Sequence, residues 1–441
     1  MPEFRFLVPL VLCLLTTAAT AAEPDWAQIL GESRGSFARP LDEVDWRENR
    51  SMKLIFAEAQ ADNRPIFVTF RCLPCKQCAG FDQAVLEGGK LLTPLLRQFV
   101  TVRLTDANLL DERIFPYKQY QDLDLSWWGY FLSPEGRLYG VFGGKDHVSD
   151  QTRISPLALA ETMLRVLKHH HDPRRKNWNI DGPKPELEGA PQVPLKQPAY
   201  KKWAATRPWT AKQNCLHCHQ VAEVIREPDL AAGRFKTPDD LYVWPLPENV
   251  GLFLERDHGL RVLQVTPKSP ASVAGIRRGD ELAAAGGRRL FSQADFQGVL
   301  HRGPKGAGEI PVYWKRDGTV HQAKLRVRPG WRKTQIWWRK SVYDGNVGPY
   351  PGFFPLKGPR QPGGKMSVKP FMGKQAQKKP VYRAGLRPHH RITAIGGVPV
   401  DSNARKLLTW FKLKYKPGDT VVLTVKERGK TRKISYRLPT K

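Results

Sequence analysis

The chain has 441 residues, of which 41% are apolar and 10% aromatic, and its formal net charge is +29. This composition excludes a globally disordered chain, and the lack of a long apolar stretch after the N-terminus excludes a polytopic membrane protein. Six cysteines are too few to build a disulfide scaffold of this length. The length predicts two to four domains.

The positive charge is concentrated in the C-terminal part of the chain. Residues 331–441 hold 26 Lys and Arg against 4 Asp and Glu, whereas residues 23–180 hold 21 of each kind. A basic field of this size favours an anionic partner such as an envelope polymer or a lipid surface, and the alternative is a basic surface that serves solubility alone.

The first 22 residues have the pattern of a secretory signal peptide. Arg5 precedes the apolar run 6–15, and Ala19-Thr20-Ala21 forms a small-x-small cleavage site. The apolar run is short for an uncleaved membrane anchor. We therefore expect a periplasmic or extracellular protein, for which nucleic acid is an unlikely partner.

The elements of an α/β domain follow in residues 45–171. A helix is predicted from Met52 to Asn63 and strands at Ile66–Phe70 and Phe99–Leu104, after which a hairpin precedes a closing helix at Pro156–His170. This order of elements predicts an α/β sandwich.

A first cluster of cysteines, Cys72, Cys75 and Cys78, lies where the strand 66–70 gives way to a helix. A helix N-terminus stabilises a thiolate, so Cys72 is the expected nucleophile and Cys75 the thiol that resolves its mixed disulfide. Cys78, one helical turn after Cys75, is a third candidate catalytic residue, because three thiols at this spacing can let one resolve another. Two alternatives stay open, since the three cysteines can also hold a metal ion or form a structural disulfide.

A second cluster has the sequence Cys215-Leu-His-Cys218-His219. Cys-x-x-Cys-His is the attachment signal for c-type haem, in which both thiols bond to the porphyrin and the histidine ligates the iron. The alternatives are a Cys215–Cys218 disulfide and a zinc site that uses His217 or His219 as a metal ligand. The motif predicts a short Cys-x-x-Cys-His module over residues 200–248.

The rest of the chain contains an internal repeat. The stretch Ala274–Leu282 reappears as Ala384–Ile392, at an offset of 110 residues. We therefore predict two copies of one small β-rich domain, over residues 249–328 and 343–438. A segment rich in Pro, Lys and Gly, residues 172–199, is predicted to be a linker.

Two of these patterns resemble known families. The sequence Cys72-Leu-Pro-Cys75-Lys after a strand resembles the thioredoxin-like superfamily, although residues 125–128 lack the proline that this family carries before its third strand. The pattern from Ser269-Pro-Ala to Gly279-Asp280 resembles a PDZ domain of the bacterial envelope type.

The PDZ resemblance implies a peptide site at a glycine loop. In the first copy, Gly251, Leu252 and Phe253 would offer backbone N–H groups to the C-terminus of a peptide or protein, which adds as a strand. In the second, divergent copy the loop would be Gly352-Phe353-Phe354, and His389-His390 replaces the Gly-Asp pair.

The order of the domains resembles a family of exported thioredoxin-like/PDZ proteins, some of which carry selenocysteine in the first cluster, and every such position here is Cys. The resemblance implies an exported thiol–disulfide oxidoreductase with haem c and PDZ domains that recruit a partner. The N-terminal domain lacks the β-barrel pattern of a serine protease, so we do not expect one.

Two alternative functions stay open at this point. One is a non-catalytic PDZ scaffold of the cell envelope, whose cysteines are structural. The other applies if no haem is attached: Cys215 and Cys218 then form an internal disulfide that Cys72 reduces.

Overall fold

The computed structural model describes residues 25–29, 44–70, 81–82, 86, 90–145, 154–205, 216–359, 366–373 and 375–440. These parts form a multidomain α/β protein with sheets of five, four and six strands and a separate two-stranded ribbon. The predicted signal peptide lies outside the described residues. Within them, none of the helices is long and apolar enough to cross a membrane.

The five-stranded sheet belongs to the N-terminal domain. Its strands are β1 Trp46–Glu48, β2 Ile66–Phe70, β3 Val100–Leu104, β4 Ser126–Leu132 and β5 Leu138–Lys145. Their order is β1-β3-β2-β4-β5; β1, β3 and β2 run parallel, and β4 and β5 are antiparallel to their neighbours. β2 and β3 are buried along their whole length, because helices cover both faces of the sheet.

The helices of this domain pack on opposite faces. Among the described residues up to 171 these are α2 Met52–Ala61, α3 Thr93–Leu96, α4 Tyr117–Tyr120 and α5 Pro156–His170. The preceding helix, α1 Trp26–Ile29, packs elsewhere, since Trp26 lies against Ala284 and Tyr313. α2 packs with the Val68 side of β2, and α5 with the Phe67 side. The predicted strand Ile66–Phe70 and helix Pro156–His170 are confirmed, and the helix predicted to end at Asn63 ends at Ala61.

The predicted linker, residues 172–199, differs from expectation because much of it packs on the N-terminal domain. Asp181 pairs with His169 at 2.6 Å and with Arg175 at 3.1 Å, and the backbone of Gln192 bonds to Glu112 and Asp111. This segment also contains α6, Arg175–Trp178. Its prolines fix an extended path along the surface of the domain.

The segment that carries the second cysteine cluster also belongs to the N-terminal core. It forms α7 Tyr200–Ala205 and α8 Cys218–Ala231. Trp203, Leu216 and Val221 share one hydrophobic cluster with the Val68 side of the sheet. The predicted module at 200–248 therefore adds a layer to the N-terminal domain over its first half.

The two repeats have matching elements. The first contains β6 Leu252–Leu254, β7 Val262–Val265, α9 Pro270–Val273, β8 Glu281–Ala285, β9 Arg288–Arg289, α10 Gln293–Arg302, β10 Gly308–Arg316 and β11 Thr319–Val327. The segment between the repeats contains α11 Lys340–Tyr343. The second repeat contains β12 Phe354–Lys357, β13 Val368–Phe371, α12 Pro380–Arg383, β14 Arg391–Ile395, β15 Val398–Pro399, α13 Ala404–Lys414, β16 Thr420–Glu427 and β17 Lys430–Arg437.

Candidate redox site and its surroundings

The predicted redox cysteines follow the carboxyl end of β2, which ends at Phe70. Cys72, Cys75 and Cys78 themselves lie outside the described residues. The structure does describe what surrounds this edge of the sheet: residues 81–82 just after the cluster, the start of β4, and the loop that leads into β4.

A buried polar network connects the helix after the cluster to the sheet. Trp127 Nε1 donates a hydrogen bond of 2.7 Å to Asp82 Oδ1, and Arg103 Nε lies 3.2 Å from Asp82 Oδ2. All three residues are buried. Because Asp82 follows Cys78 by four residues, this network fixes the chain directly after the predicted redox segment.

Trp127 lies in the stretch where the thioredoxin-like pattern would have its proline. Its φ angle is +56°, in the left-handed region that bulky residues rarely adopt. The indole packs against Phe81 with ring centroids 4.4 Å apart. The tight packing and the hydrogen bond to Asp82 hold this unusual backbone conformation.

The loop before β4 is held by the segment between the two repeats. The guanidinium of Arg339 makes two hydrogen bonds to Asp122, of 2.7 and 2.9 Å, and one of 3.2 Å to Asp124. The backbone N–H and hydroxyl of Ser341 also donate to Asp124. Burial opposes the charged guanidinium, but the two carboxylates raise the pKa of Arg339 above its ordinary value. Sequence reasoning missed this contact, because it joins residues 217 positions apart.

Cys218 of the second cluster contacts the same loop. Cys218 is the first residue of α8 and is half-buried, and Gln121 Nε2 lies 3.7 Å from its Sγ atom. The other end of the Gln121 amide accepts a 2.6 Å hydrogen bond from the buried hydroxyl of Tyr130 in β4. The second cluster therefore touches the N-terminal sheet through one amide side chain. Cys215 lies outside the described residues.

The placement of His219 bears on the predicted haem and metal sites. Its ring stacks on that of His217, with centroids 5.4 Å apart, whereas Cys218 faces Gln121. A thioether from Cys218 to a porphyrin would replace the contact with Gln121. Zinc at Cys218 and His219 would need two further ligands.

A different cluster has the spacing of a metal site. His389, His390 and Glu427 bring one ligand atom each to within 4.8 Å of one another. However, His390 Nδ1 accepts the N–H of Arg387, and the guanidinium of Arg432 lies 3.0 Å from Nε2. A bound cation would break the hydrogen bond between Arg387 and His390 and would face the positive charge of Arg432. These surroundings therefore disfavour a metal ion here.

The predicted peptide loop of the first repeat begins with a glycine in the left-handed backbone region. Gly251 has φ +86°, and a Cβ there would lie 2.0 Å from Ser269 Oγ. Leu252 is fully buried, and Phe253 is 37% exposed. The position requires glycine, and Phe253 is the most exposed side chain of the predicted site.

The helix beside this loop, α10, packs against the N-terminal domain. α10 packs on the edge strand β5: Asp295 Oδ1 accepts the backbone N–H of Val141 at 2.8 Å, and the Ser292 hydroxyl donates to the Val141 carbonyl. These bonds satisfy backbone groups that an uncovered sheet edge would expose. The first repeat is therefore docked on the N-terminal domain through α10.

The second repeat offers a more open surface at its matching loop. A cavity of about 540 Å³ lies beside Gly352. Its lining includes Phe354, Leu356 and Phe371, which are 36%, 44% and 59% exposed, together with the cation Lys379. Sequence reasoning did not foresee this exposed apolar surface at the second loop.

The comparisons with known proteins concern the N-terminal part. A model of the thioredoxin-like family matches residues 49–122, from just before α2 to Asp122. Residues 49–122 are therefore a thioredoxin-like domain, whose sheet is completed by β4 and β5. No curated protein matches the chain.

Proposed function

We propose that the chain is an exported thiol–disulfide oxidoreductase whose catalytic residues are Cys72 and Cys75. The observation that carries this proposal is the thioredoxin-like match over residues 49–122, which includes both cysteines directly after β2. Arg71 and Lys76 add positive charge that favours a thiolate.

The reaction balances within the cysteine pair. The Cys72 thiolate attacks one sulfur of a substrate disulfide and forms a mixed disulfide, and the other substrate sulfur leaves as a thiolate. The Cys75 thiolate then attacks Cys72 Sγ, which releases the second substrate thiol and leaves a Cys72–Cys75 disulfide. Two electrons pass to the substrate, and an external dithiol must reduce the pair again.

The test uses the reduced full-length chain and glutathione disulfide, with mass spectrometry of the products. The variant Cys75→Ser should accumulate one glutathione on Cys72, whereas the wild type should proceed to the internal disulfide. Cys78→Ser is the matched control and should behave as the wild type. Equal glutathionylation of all three cysteines would reject the proposal.

We also propose the second cysteine pair as a disulfide partner of the first, because the electrons balance in such an exchange. Exchange between two cysteine pairs conserves two electrons, whereas a single haem accepts one. In this scheme Cys72 reduces a Cys215–Cys218 disulfide. The expected result is that oxidised Cys215–Cys218 becomes reduced when only the first pair is supplied with electrons.

Haem c is the second candidate for this pair, and the Cys-x-x-Cys-His spacing favours it. Cys215 and Cys218 would hold the porphyrin, His219 would ligate the iron, and the group would supply a one-electron redox centre. A denaturing gel stained for haem peroxidase should show a covalent signal that Cys215→Ala/Cys218→Ala removes. If protein from a host that matures c-type cytochromes shows no haem signal, the disulfide role remains for Cys215 and Cys218.

Partner recruitment is proposed for the two repeats as PDZ-like domains. Gly251, Leu252 and Phe253 support a peptide site in the first repeat. The apolar cavity beside Gly352 and the nearby Lys379 favour the second repeat as the more accessible site for a C-terminal peptide. Phe371→Ser should weaken binding of a hydrophobic C-terminal peptide far more than Phe253→Ser does.

An anionic polymer or lipid surface of the cell envelope is the proposed partner of the basic C-terminal part. Retention of the full chain on heparin should fall steeply with salt. Neutralising three exposed cations of β17, Lys430, Lys433 and Arg437, should advance elution more than neutralising Arg277, Arg278 and Lys324 of the first repeat. Equal shifts would reject a dedicated surface.

The alternative function is a non-catalytic PDZ scaffold with structural cysteines. Glutathione trapping distinguishes the two functions, since a scaffold would show no selective reaction at Cys72 while its peptide binding would persist.

A further inference from the structure

A cleft of about 500 Å³ lies where several parts of the chain meet. Its walls come from the loop 118–124, the outer face of α8, residues 234–244, the end of α10 and residues 339–342. A volume of this size suits a small organic ligand, and such sites occur preferentially between domains.

One wall of the cleft is apolar and uncharged. It includes Leu123, Ile225, Leu241 and Trp244, and Trp244 stacks on His301 with ring centroids 4.1 Å apart. Burial, followed by nearby arginines, lowers the pKa of His301 to about 3. The imidazole is therefore neutral at physiological pH and extends the apolar wall.

The charges in the lining are almost completely paired. Four cations have carboxylate partners: Lys118 with Glu112, Arg234 with Asp229, Lys305 with Asp240, and Arg339 with Asp122. The remaining carboxylate, Asp124, is held by Arg339 and Ser341. One lining cation, Arg226, is left outside these pairs.

Arg226 is nine-tenths buried, with 9% of its surface exposed. Its Nε donates to the Ala222 carbonyl at 3.2 Å and its Nη2 to the Ser341 carbonyl at 2.8 Å. Among the described residues, Nη1 has no hydrogen-bond partner and no carboxylate lies at ion-pair distance. Burial lowers the pKa of Arg226, and the charges of Asp124 and Glu223, which lie beyond ion-pair distance, oppose this shift. A carboxylate on Nη1 would add the direct ion pair that Arg226 lacks among the described residues.

We propose that this cleft binds a small organic carboxylate, with the carboxylate on Nη1 of Arg226 and the apolar body against Ile225, Leu241 and Trp244. The geometry supports an aryl or alkyl acid, because one cation faces an extended apolar wall. The site goes beyond the thiol chemistry proposed above, since none of the described lining residues is a cysteine. It nevertheless reaches Gln121, whose amide contacts Cys218.

The test is calorimetric titration of the full-length chain with 4-phenylbutyrate and with its neutral isostere 4-phenylbutanamide. The acid should bind at least tenfold more tightly than the amide, because only the acid carries the counter-ion for Arg226. Equal affinities, or no binding of the acid at millimolar concentrations, would overturn the proposal.

Two variants locate the site, and one serves as the control. Arg226→Gln should weaken binding of the acid at least tenfold and remove its advantage over the amide. Ile225→Trp keeps every charge but fills the cleft, so it should abolish binding of both probes. Arg261→Gln, which removes an exposed cation paired with Glu255 away from the cleft, should change the affinity less than twofold. Unchanged binding in the first two variants would place the ligand elsewhere and reject the assignment.

Discussion

Trp127 joins the start of β4 to the chain that follows the predicted redox cysteines. Its indole N–H is the donor to Asp82, and its ring lies between Phe81 and Phe142. The position of Cys72 and Cys75 after a strand could be predicted from the sequence alone, because it depends on local spacing. The residues that support them could not be predicted from the sequence, since Asp82 and Trp127 are 45 positions apart and no sequence pattern connects them.

We expect Trp127→Phe to destabilise the protein by about 1–2 kcal/mol beyond the cost of the smaller ring, because it deletes a buried hydrogen bond to a charged group. The measurement is urea-induced unfolding. Trp314→Phe is the matched control, since Trp314 is equally buried and its Nε1 has no hydrogen-bond partner among the described residues. Equal losses in both variants would assign the effect to ring volume alone.

Three buried histidines make the stability of the protein depend on pH. Burial is the main cause that lowers the pKa of His169 to about 4 and those of His170 and His301 to about 3, from an ordinary value of 6.5. Below pH 6.5 these histidines therefore become protonated in the unfolded chain but stay neutral in the folded chain. Their contribution to stability is complete above this pH and is lost as the pH falls towards 4.

From pH 7.5 to 5.5 we expect a loss of about 1 kcal/mol for each of these histidines. His301→Phe keeps a ring to stack on Trp244 but cannot titrate, so the acid-induced loss should decrease by about 1 kcal/mol. The measurement is the free energy of unfolding against pH. An unchanged pH dependence in this variant would contradict the assignment.

At the scale of the elements, the repeats share one turn, in which His389-His390 replaces Gly279-Asp280. In the first copy, Asp280 accepts the N–H of Arg277 and pairs with Arg316 at 2.7 Å. In the second copy, His390 accepts the N–H of Arg387 and lies 3.0 Å from Arg432. The repeat offset of 110 residues predicted the matching folds, and the structure adds that a histidine takes over the role of the aspartate.

This comparison predicts an asymmetry between reciprocal substitutions. Asp280→His should cost about 2 kcal/mol, because Arg316 loses its carboxylate partner. His390→Asp should change stability by less than about 1 kcal/mol, because it offers Arg432 a carboxylate but places it near Glu427. Thermal unfolding of both full-length variants measures the difference. Equal losses in the two variants would contradict the predicted asymmetry.

At the scale of the whole molecule, the C-terminal half covers a sheet edge of the N-terminal domain and neutralises two of its carboxylates. α10 covers the edge of β5, and Arg339 neutralises Asp122 and Asp124 in the loop before β4. The order of the domains could be predicted from sequence motifs. The contacts between the two halves could not be predicted, because the residues of a docking surface follow no periodic pattern and the residues in contact are far apart in the chain.

We expect Arg339→Met to destabilise the protein by about 3–5 kcal/mol, since it leaves two buried carboxylates without their cation. Lys340→Met, at the next position, removes an exposed pair with Asp344 and should cost less than about 0.5 kcal/mol. Urea unfolding followed by tryptophan fluorescence compares the two variants. A loss after Arg339→Met no larger than that of the control would show that the contact does not hold the loop.

The contact of Arg339 with Asp122 also has a consequence for the timing of biosynthesis. Its partners are 217 residues apart, and a ribosome adds about 5–20 residues per second, so roughly 10–40 seconds separate the synthesis of the two. During that interval Asp122 and Asp124 lack the cation that neutralises them in the folded chain. The loop before β4 therefore makes its final contacts only after the second half of the chain has been synthesised.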